Sequence, residues 1–445
     1  MQPEFDQGLL APIWVGSVAE ARTGDGAVIR AMLGAEAALA RALAAAGLAP
    51  PAAAEVITRV AADLTIEPRA LALAARSGGN PVIPLVRELR AAVAAADPGA
   101  VEWVHRGTTS QDVLDTALMT VSAQVLADAV LPGLAGAAEA AARLAADHRG
   151  TVLAGRTLTQ HAVPTTFGLK AAGWLSGLLD AAERCAEVHR GLPAQLGGAA
   201  GTLAALDGPR IAVAEAFAAE CGLRARETPW HTVRTPVAEL AAALALATGA
   251  CGKAALDITV LAQTELGEVA GDPGGESSAM PQKRNPVTAA LVVAAAREAP
   301  GALAGLHLAL LAENERPAGA WHAEWQQWRA LLRLAGGAAA ATATLLSELR
   351  PDPAAMAATV ARSEGALLAE RLAGVLRPSL GTGAAAAVRD AALGGRLPEL
   401  LAEHGVADPA DYLGAAPEFV DRALARYHRH IASDRTASEG PNHGA

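Results

Sequence analysis

Aromatic side chains are scarce in this chain: Phe, Trp and Tyr together supply 3% of 445 residues. Half of the residues (52%) are nonetheless hydrophobic. Alanine and leucine carry most of that mass, which favours helix over strand. Cysteine is also rare. Cys185, Cys221 and Cys251 are odd in number and widely spaced, form no CxxC pair and have no histidine at metal-ligand spacing. They are expected to be free thiols of a reducing cytoplasm. Positive charge is never concentrated: the net charge is −10, with no basic patch or arginine-rich arm, which argues against nucleic-acid binding. The N-terminal MQPEFDQGLLAPIW has no charged region ahead of an apolar core, so a signal peptide is not expected. Arg, Asp, Glu and His punctuate the apolar runs, so no transmembrane span is expected either. There is no repeat of 20 to 50 residues. Gly-rich phosphate loops, metal constellations and Schiff-base lysine patterns are missing too, and no cofactor or metal is expected.

What is present reads as helix. Residues 27–48 place apolar side chains at helical spacing and stop at Gly47 and Pro50. Between about 105 and 350 the pattern predicts long helices over 113–148, 165–190, 236–269, 287–313 and 323–348, far beyond the usual mean of about 11 or 12 residues. Their Ala- and Gly-rich surfaces permit close backbone approach, and their apolar faces are too extensive for one chain to hide. The expected fold is all-α in three segments. An N-terminal helical domain (1–104) precedes a central long-helix bundle (105–350) and a C-terminal helical domain (351–432), with a disordered tail over 433–445.

Four polar segments interrupt this pattern. HRGTTSQD (105–112) reads by itself as a helix cap. GRTLTQHAVPTT (155–166) reads as a proline-led helix entry, and QLGGAAGT (195–202) as glycines that let backbones pass closely. The fourth, GDPGGESSAMPQKRNPV (271–287), is different. Its glycines offer the mobility of an active-site lid. Lys283 and Asn285 then precede a helix expected to start near Val287. A lysine at the positive end of a helix is electrostatically unfavourable unless an anion, such as a substrate carboxylate, binds there.

SSAMPQKRNP resembles the SSxMPxKxN signature of the fumarase/aspartase superfamily. TSQD at 109–112 is similar to that family's TSxD region and GRTLTQHAVPTTFG to its second region, with GGAAGT and PWHTVRT also in family order. The resemblance runs from roughly residue 9 to 430. Within the superfamily, GLLAPIWVGSVAEA, RPAGAWHAEWQQW (316–328) and DPADYLGAAPEFVDRAL (408–424) resemble the 3-carboxy-cis,cis-muconate cycloisomerases.

That resemblance implies roles. Ser277, as an alkoxide, would remove a proton alpha to a carboxylate, its pKa lowered by loop N–H groups, the helix end and Lys283. Lys283 and Asn285 would hold that carboxylate and stabilise the aci-carboxylate. Thr109, Ser110 and Gln160 would hold the other carboxylates, with Ser278 and Met280 of the same loop as further substrate contacts. Arg106, Arg156 and Arg234 are candidate anion contacts; Arg156 and Arg234 read equally well as structural ion-pair partners. His161 is either a substrate ligand or a buried structural histidine. Glu315, Trp321, His322 and Glu324 are read as shaping the site or a subunit contact.

Two departures bear on the substrate. Leu158 stands where many relatives have the histidine of THGQ, which argues against adenylosuccinate and argininosuccinate lyase activity. Arg106 stands where the cycloisomerases more often carry an aromatic, and a carboxylate clamp there suits a tricarboxylate such as carboxymuconate as well as a small aspartate- or nitrosuccinate-like dicarboxylate. The resemblance implies lactonisation of 3-carboxy-cis,cis-muconate to 4-carboxymuconolactone in protocatechuate catabolism. The alternative is a fumarate-forming β-elimination from an aspartate- or nitrosuccinate-like succinate. A non-catalytic scaffold is a third reading, disfavoured because Ser277, Lys283 and Asn285 are all present. The resemblance also implies a cytoplasmic homotetramer with a twenty-helix core, each active site drawn from three subunits and taking a small di- or tricarboxylate.

Overall fold

The computed structural model describes residues 7–272, 280 and 283–438, with the backbone alone for 434–438. The described residues are all-α apart from two small two-stranded sheets. The first helices are α1 (Val18–Thr23), α2 (Asp25–Ala45), α3 (Pro51–Asp63), α4 (Pro68–Gly78) and α5 (Val82–Ala96). Next come α6 (Ser110–Val125) and α7 (Leu131–Asp147), the hairpin of β1 (Val152–Thr157) and β2 (Gln160–Thr166), then α8 (Phe167–Gly191) and α9 (Arg210–Glu220). The long helix α10 (Thr235–Leu261) is followed by the short strand β3 (Val269–Ala270), the long helices α11 (Val287–Leu308) and α12 (Ala320–Glu348), and the short strand β4 (Arg350–Pro351). The chain closes with α13 (Pro353–Ala361), α14 (Ala369–Leu380), α15 (Ala384–Leu393), α16 (Leu397–Glu403) and α17 (Ala416–Ser438).

The chain forms two compact units. One gathers the residues up to Pro132 with Ala182–Gly249 and Ala295–Ala339; the other gathers Gly133–Ala181, Ala250–Ala294 and the chain from Ala340 onward. In the first unit α2 buries Ile29, Met32, Leu33, Leu39 and Leu43 and packs on α3, α6 and α9. Small residues at Ala37, Ala38, Ala40 and Ala42 are buried with them and let these helices approach closely. The N-termini follow local chemistry: Pro51 and Pro68 open α3 and α4, and the Glu67 carboxylate accepts from the N–H groups of Arg69 and Ala70. In the second unit, Leu368, Leu372, Leu376, Val388, Leu397, Leu401 and Val406 form the core of the C-terminal helices.

The expected helix over 113–148 is present but carries a π-helical turn at Leu126–Val130, where the Leu131 N–H reaches the Leu126 carbonyl. Pro132 explains it: having no N–H, it cannot continue the regular ladder, and the wider turn absorbs the fault. The third long helix stops at Leu261 rather than 269. Gly267 adopts φ +59 and the chain folds back so that the Glu268 N–H meets the Leu261 carbonyl. Residues 155–166 form most of the β-hairpin, and β2 then runs directly into α8 at Phe167, where the Thr166 hydroxyl accepts from the Leu169 N–H at 3.0 Å. The helical backbone of α17 runs to Ser438, six residues into the segment expected to be disordered, because extending a formed helix costs far less than nucleating one. By length and composition, the helices Ser110–Asp147, Thr235–Leu261, Val287–Leu308 and Ala320–Glu348 are also apolar enough to cross a membrane, against the expectation from the punctuating charges.

Candidate active site

In the first unit one buried carboxylate organises the hydroxyl-rich loop. Thr109 is the N-cap of α6, and its N–H donates to Asp112 Oδ2 at 3.0 Å. The Thr108 hydroxyl donates to the same oxygen at 3.1 Å. The N–H groups of Gly197 and Gly198 reach Asp112 at 3.0 and 2.9 Å, and His231 Nε2 lies 2.7 Å from Oδ1. Asp112 is fully buried, and these five contacts join two of the four polar segments and PWHTVRT at one side chain. Glycine is needed opposite it: a Cβ at 197 would meet Pro229 and the His231 ring at 2.8 Å, and Gly198 has φ +72. Thr109 and Ser110 stay half-buried at the positive end of α6. Arg106 is exposed, with its guanidinium carbon 5.8 Å from the Trp103 ring centroid and no ion-pair partner among the described residues. Before it, His105 has φ +60 and sets its Nδ1 2.6 Å from the fully buried carboxylate of Glu36 on α2.

Arg234 is not an anion site. Its Nε and Nη2 donate to Glu324 at 2.9 and 2.5 Å, and Nη1 and Nη2 to Asp115 at 2.7 and 3.2 Å. Nη1 also reaches the Trp230 carbonyl at 3.4 Å, so all five N–H groups are used inside a buried network. Burial opposes the guanidinium charge, but Asp115 and Glu324 outweigh it and hold the pKa above its ordinary value. From the WHAEW segment, Trp321 Nε1 donates to Asp115 at 2.9 Å. Trp321 and Glu324 are therefore parts of the frame, while Glu315 and His322 are exposed.

In the second unit the hairpin presents Gln160 and His161 to solvent. Exposure removes the reading of His161 as a buried structural residue. The two-residue turn is Leu158–Thr159, with φ +49 and +68. Such turns normally use Gly, Asn or Asp, and a β-branched residue in this region is an outlier. Leu158 is 96% exposed at the tip. Arg156 is committed elsewhere: Nη1 and Nη2 form a fork with the buried Glu268 carboxylate at 2.9 and 2.7 Å. The structural alternative thus holds for Arg156 as for Arg234. Lys170, half-buried on α8, is pushed below its usual pKa by burial, with Asp257 opposing.

The start of α11 corrects the expectation of free helix N–H groups. The Asp272 carboxylate accepts from the N–H groups of Thr288 and Ala289 at 3.2 and 3.0 Å, and the Val287 N–H donates to the Asn285 carbonyl at 2.9 Å. The chain's own carboxylate fills the place assigned to a substrate. Lys283 is exposed and without an ion-pair partner among the described residues. Its N–H donates to the carbonyl of the exposed Met280 at 2.9 Å, and Asn285 is half-buried. Ser277 and Ser278 lie outside the described residues.

A protein-family profile described as Lyase matches residues 13–301. Nitrosuccinate lyase of Streptomyces davaonensis is 47% identical, over 94% of this chain and 94% of that protein. The 3-carboxy-cis,cis-muconate cycloisomerase of Bradyrhizobium diazoefficiens is 40% identical, over 94% of this chain and 97% of that protein. The crystal structure of 3-carboxy-cis,cis-muconate lactonizing enzyme from Pseudomonas putida superimposes with a TM-score of 0.87 at 36% identity, covering 95% and 99% of the two chains. The chain belongs to the fumarase/aspartase superfamily. It is an enzyme of a family acting on small carboxylates.

For this superfamily member, sequence reasoning missed Glu36, Asp112, Asp115 and Glu268. Glu36 is a lone acid in an apolar helical stretch, and that pattern was the available signal there: a carboxylate on a buried helix face needs a partner. Asp112 lay inside the segment that reads as a helix cap.

Proposed function

We propose that the chain catalyses a fumarate-forming β-elimination from a substituted succinate whose leaving group departs as an anion, nitrite being the first candidate. The observation that carries this reading is Arg106. It is exposed, free of ion pairs among the described residues, and three positions before the N-cap Thr109. A planar guanidinium there suits the two oxygens of a carboxylate or nitro group. The greater identity to the nitrosuccinate lyase than to the cycloisomerase supports the same choice.

In this reading Ser277 takes the proton at the carbon alpha to the distal carboxylate. The electron pair enters that carboxylate as an aci-carboxylate, against which Lys283 sets its positive charge. The pair then forms the double bond as the C–N bond breaks, and the nitro group leaves with the bonding electrons as nitrite. Nitrite is a stable anion and needs no protonation, so Leu158 in place of a histidine is no handicap. An amine leaving group would require a general acid there. A homotetramer with shared active sites is part of the proposal.

The second reading is lactonisation of 3-carboxy-cis,cis-muconate, favoured by the cycloisomerase relatives. The WHAEW segment no longer separates the two, since Trp321 and Glu324 serve the frame. The deciding experiment offers purified protein 2-nitrosuccinate, with fumarate and nitrite quantified, and in parallel 3-carboxy-cis,cis-muconate, with loss of ultraviolet absorbance followed. Equimolar fumarate and nitrite, abolished in Ser277→Ala, is the expected result. Turnover of the muconate alone would replace this reading with the second.

A further inference from the structure

We infer that the cavity between α8 and α17 binds a small organic polyanion. It is an open groove of about 520 Å³ with Arg422, Arg429 and Phe419 exposed along it, a volume within the usual range for small-molecule sites. Three arginines of α17 line it, Arg422, Arg426 and Arg429. Their spacing of four and then three residues sets them in one stripe along the helix. Arg426 contacts Asp180 at 2.7 Å. Arg422 and Arg429 have no ion-pair partner among the described residues, and the lining contains no carboxylate.

This concentration of positive charge runs against the rest of the molecule. The chain carries a net charge of −10, and its other arginines commonly sit against a carboxylate, as in Arg22–Asp128, Arg41–Glu220, Arg149–Asp421 and Arg329–Asp25. Like charges one turn apart on a helix repel. Three around one hollow, two of them without an ion-pair partner among the described residues, leave positive charge that an incoming anion would meet. Their planar donors match carboxylate or phosphate oxygens. Leu169, Ala172 and Phe419 supply apolar wall for a carbon body. Gly173 on α8 keeps the hollow open: a Cβ there would meet nothing within 4 Å, so packing does not require glycine at this position.

The lining binds but has no means of turnover. Arginine does not give up its proton in proteins, and the Ser176 hydroxyl already donates to the Ala172 carbonyl at 2.9 Å. The occupant is thus a compact molecule with two or more negative charges, a polycarboxylate or a phosphate compound, held rather than transformed.

Isothermal titration of the full-length protein at low ionic strength tests this, with citrate and pyrophosphate as separate probes. One site per chain is expected for at least one probe, with a Kd of ~1 mM or below. Citrate alone would mark a polycarboxylate site and pyrophosphate alone a phosphate site. Arg422→Gln/Arg429→Gln should weaken binding by roughly tenfold or more. Gly173→Leu, which fills the space and leaves every charge in place, should do the same. Both variants are expected to retain the wild-type circular dichroism and Tm. Lys283→Met should keep the site intact, which separates it from the proposed reaction. No heat with either probe up to ~10 mM, binding unchanged in both cavity variants, or binding lost in Lys283→Met would each overturn the proposal.

Discussion

The Arg234 guanidinium meets the Asp115 carboxylate at 2.7 Å with at most 1% of either side chain exposed, and Glu324 closes on its other edge at 2.5 Å. Removing the cation leaves two carboxylates buried together without compensation. Arg234→Met should therefore destabilise the protein by about 3–5 kcal/mol, read as a lower denaturation midpoint and less soluble protein. The folded remainder should keep its KM, because no donor of Arg234 is free for substrate. A raised KM at unchanged stability would restore Arg234 to the binding site.

Asp272 caps α11 through the N–H groups of Thr288 and Ala289. Asp272→Ala should cost about 1 kcal/mol, the usual loss when a capping carboxylate is removed. Asp272→Asn should recover most of it, since the amide oxygen still accepts. Chemical denaturation of the three proteins checks this; equal stability of wild type and Asp272→Ala would show that the cap contributes nothing.

Arg106 and Lys283 divide the proposed work differently. Arg106→Gln removes a fork that holds ground state and transition state alike, so KM should rise by roughly tenfold while kcat changes little. Lys283→Met removes charge opposite the developing aci-carboxylate, so kcat should fall by about 10²–10³. Steady-state kinetics on the proposed substrate separate the two. The reverse pattern would exchange their roles.

The long helices were legible because long apolar runs at 3.6-residue spacing admit few other structures. The hairpin was not, since Leu158 and Thr159 occupy left-handed positions that sequence usually announces with Gly or Asn. The arginines show a different limit. Arg234 finds Asp115 and Glu324 across 119 and 90 residues, and Arg156 finds Glu268 across 112. No local pattern distinguishes such a pair from an arginine awaiting substrate. Arg106 and Lys283 look the same in sequence, and only the three-dimensional structure shows that neither has an ion-pair partner among the described residues.

Two histidines set an acid limit on stability. His148 packs edge-on to Phe167 at 5.3 Å, and burial lowers its pKa against the opposing effect of Asp147. Burial and Arg190 lower that of His189. Both titrate near 6.5 in the unfolded chain and below that in the folded one. Below that pH the unfolded state therefore binds more protons, and stability present at neutral pH is lost as pH falls. The Tm should drop between about pH 7 and 5, and less steeply in His148→Gln/His189→Gln. A double variant with an unaltered slope would assign the acid limit to other groups.

The three cysteines should be inert in the folded protein. Cys251 is buried, which pushes its thiol up to about 11 although the Thr342 hydroxyl pulls the other way. Burial takes Cys221 to about 12 despite the nearby Arg41, whose charge is shared with Glu220 at 2.6 Å. Cys185 is buried and donates its S–H to the Ala243 carbonyl at 3.6 Å. At pH 8 the thiolate share is on the order of 10⁻³ for Cys251 and 10⁻⁴ for Cys221, and the thiolate is the reactive form. Iodoacetamide at that pH should leave the native protein unlabelled while guanidinium-unfolded chain takes up three equivalents, counted by mass spectrometry. Rapid labelling at Cys221 alone would mean that Arg41 acts on the thiol more strongly than on Glu220. Arg41→Ala would then be expected to slow the reaction.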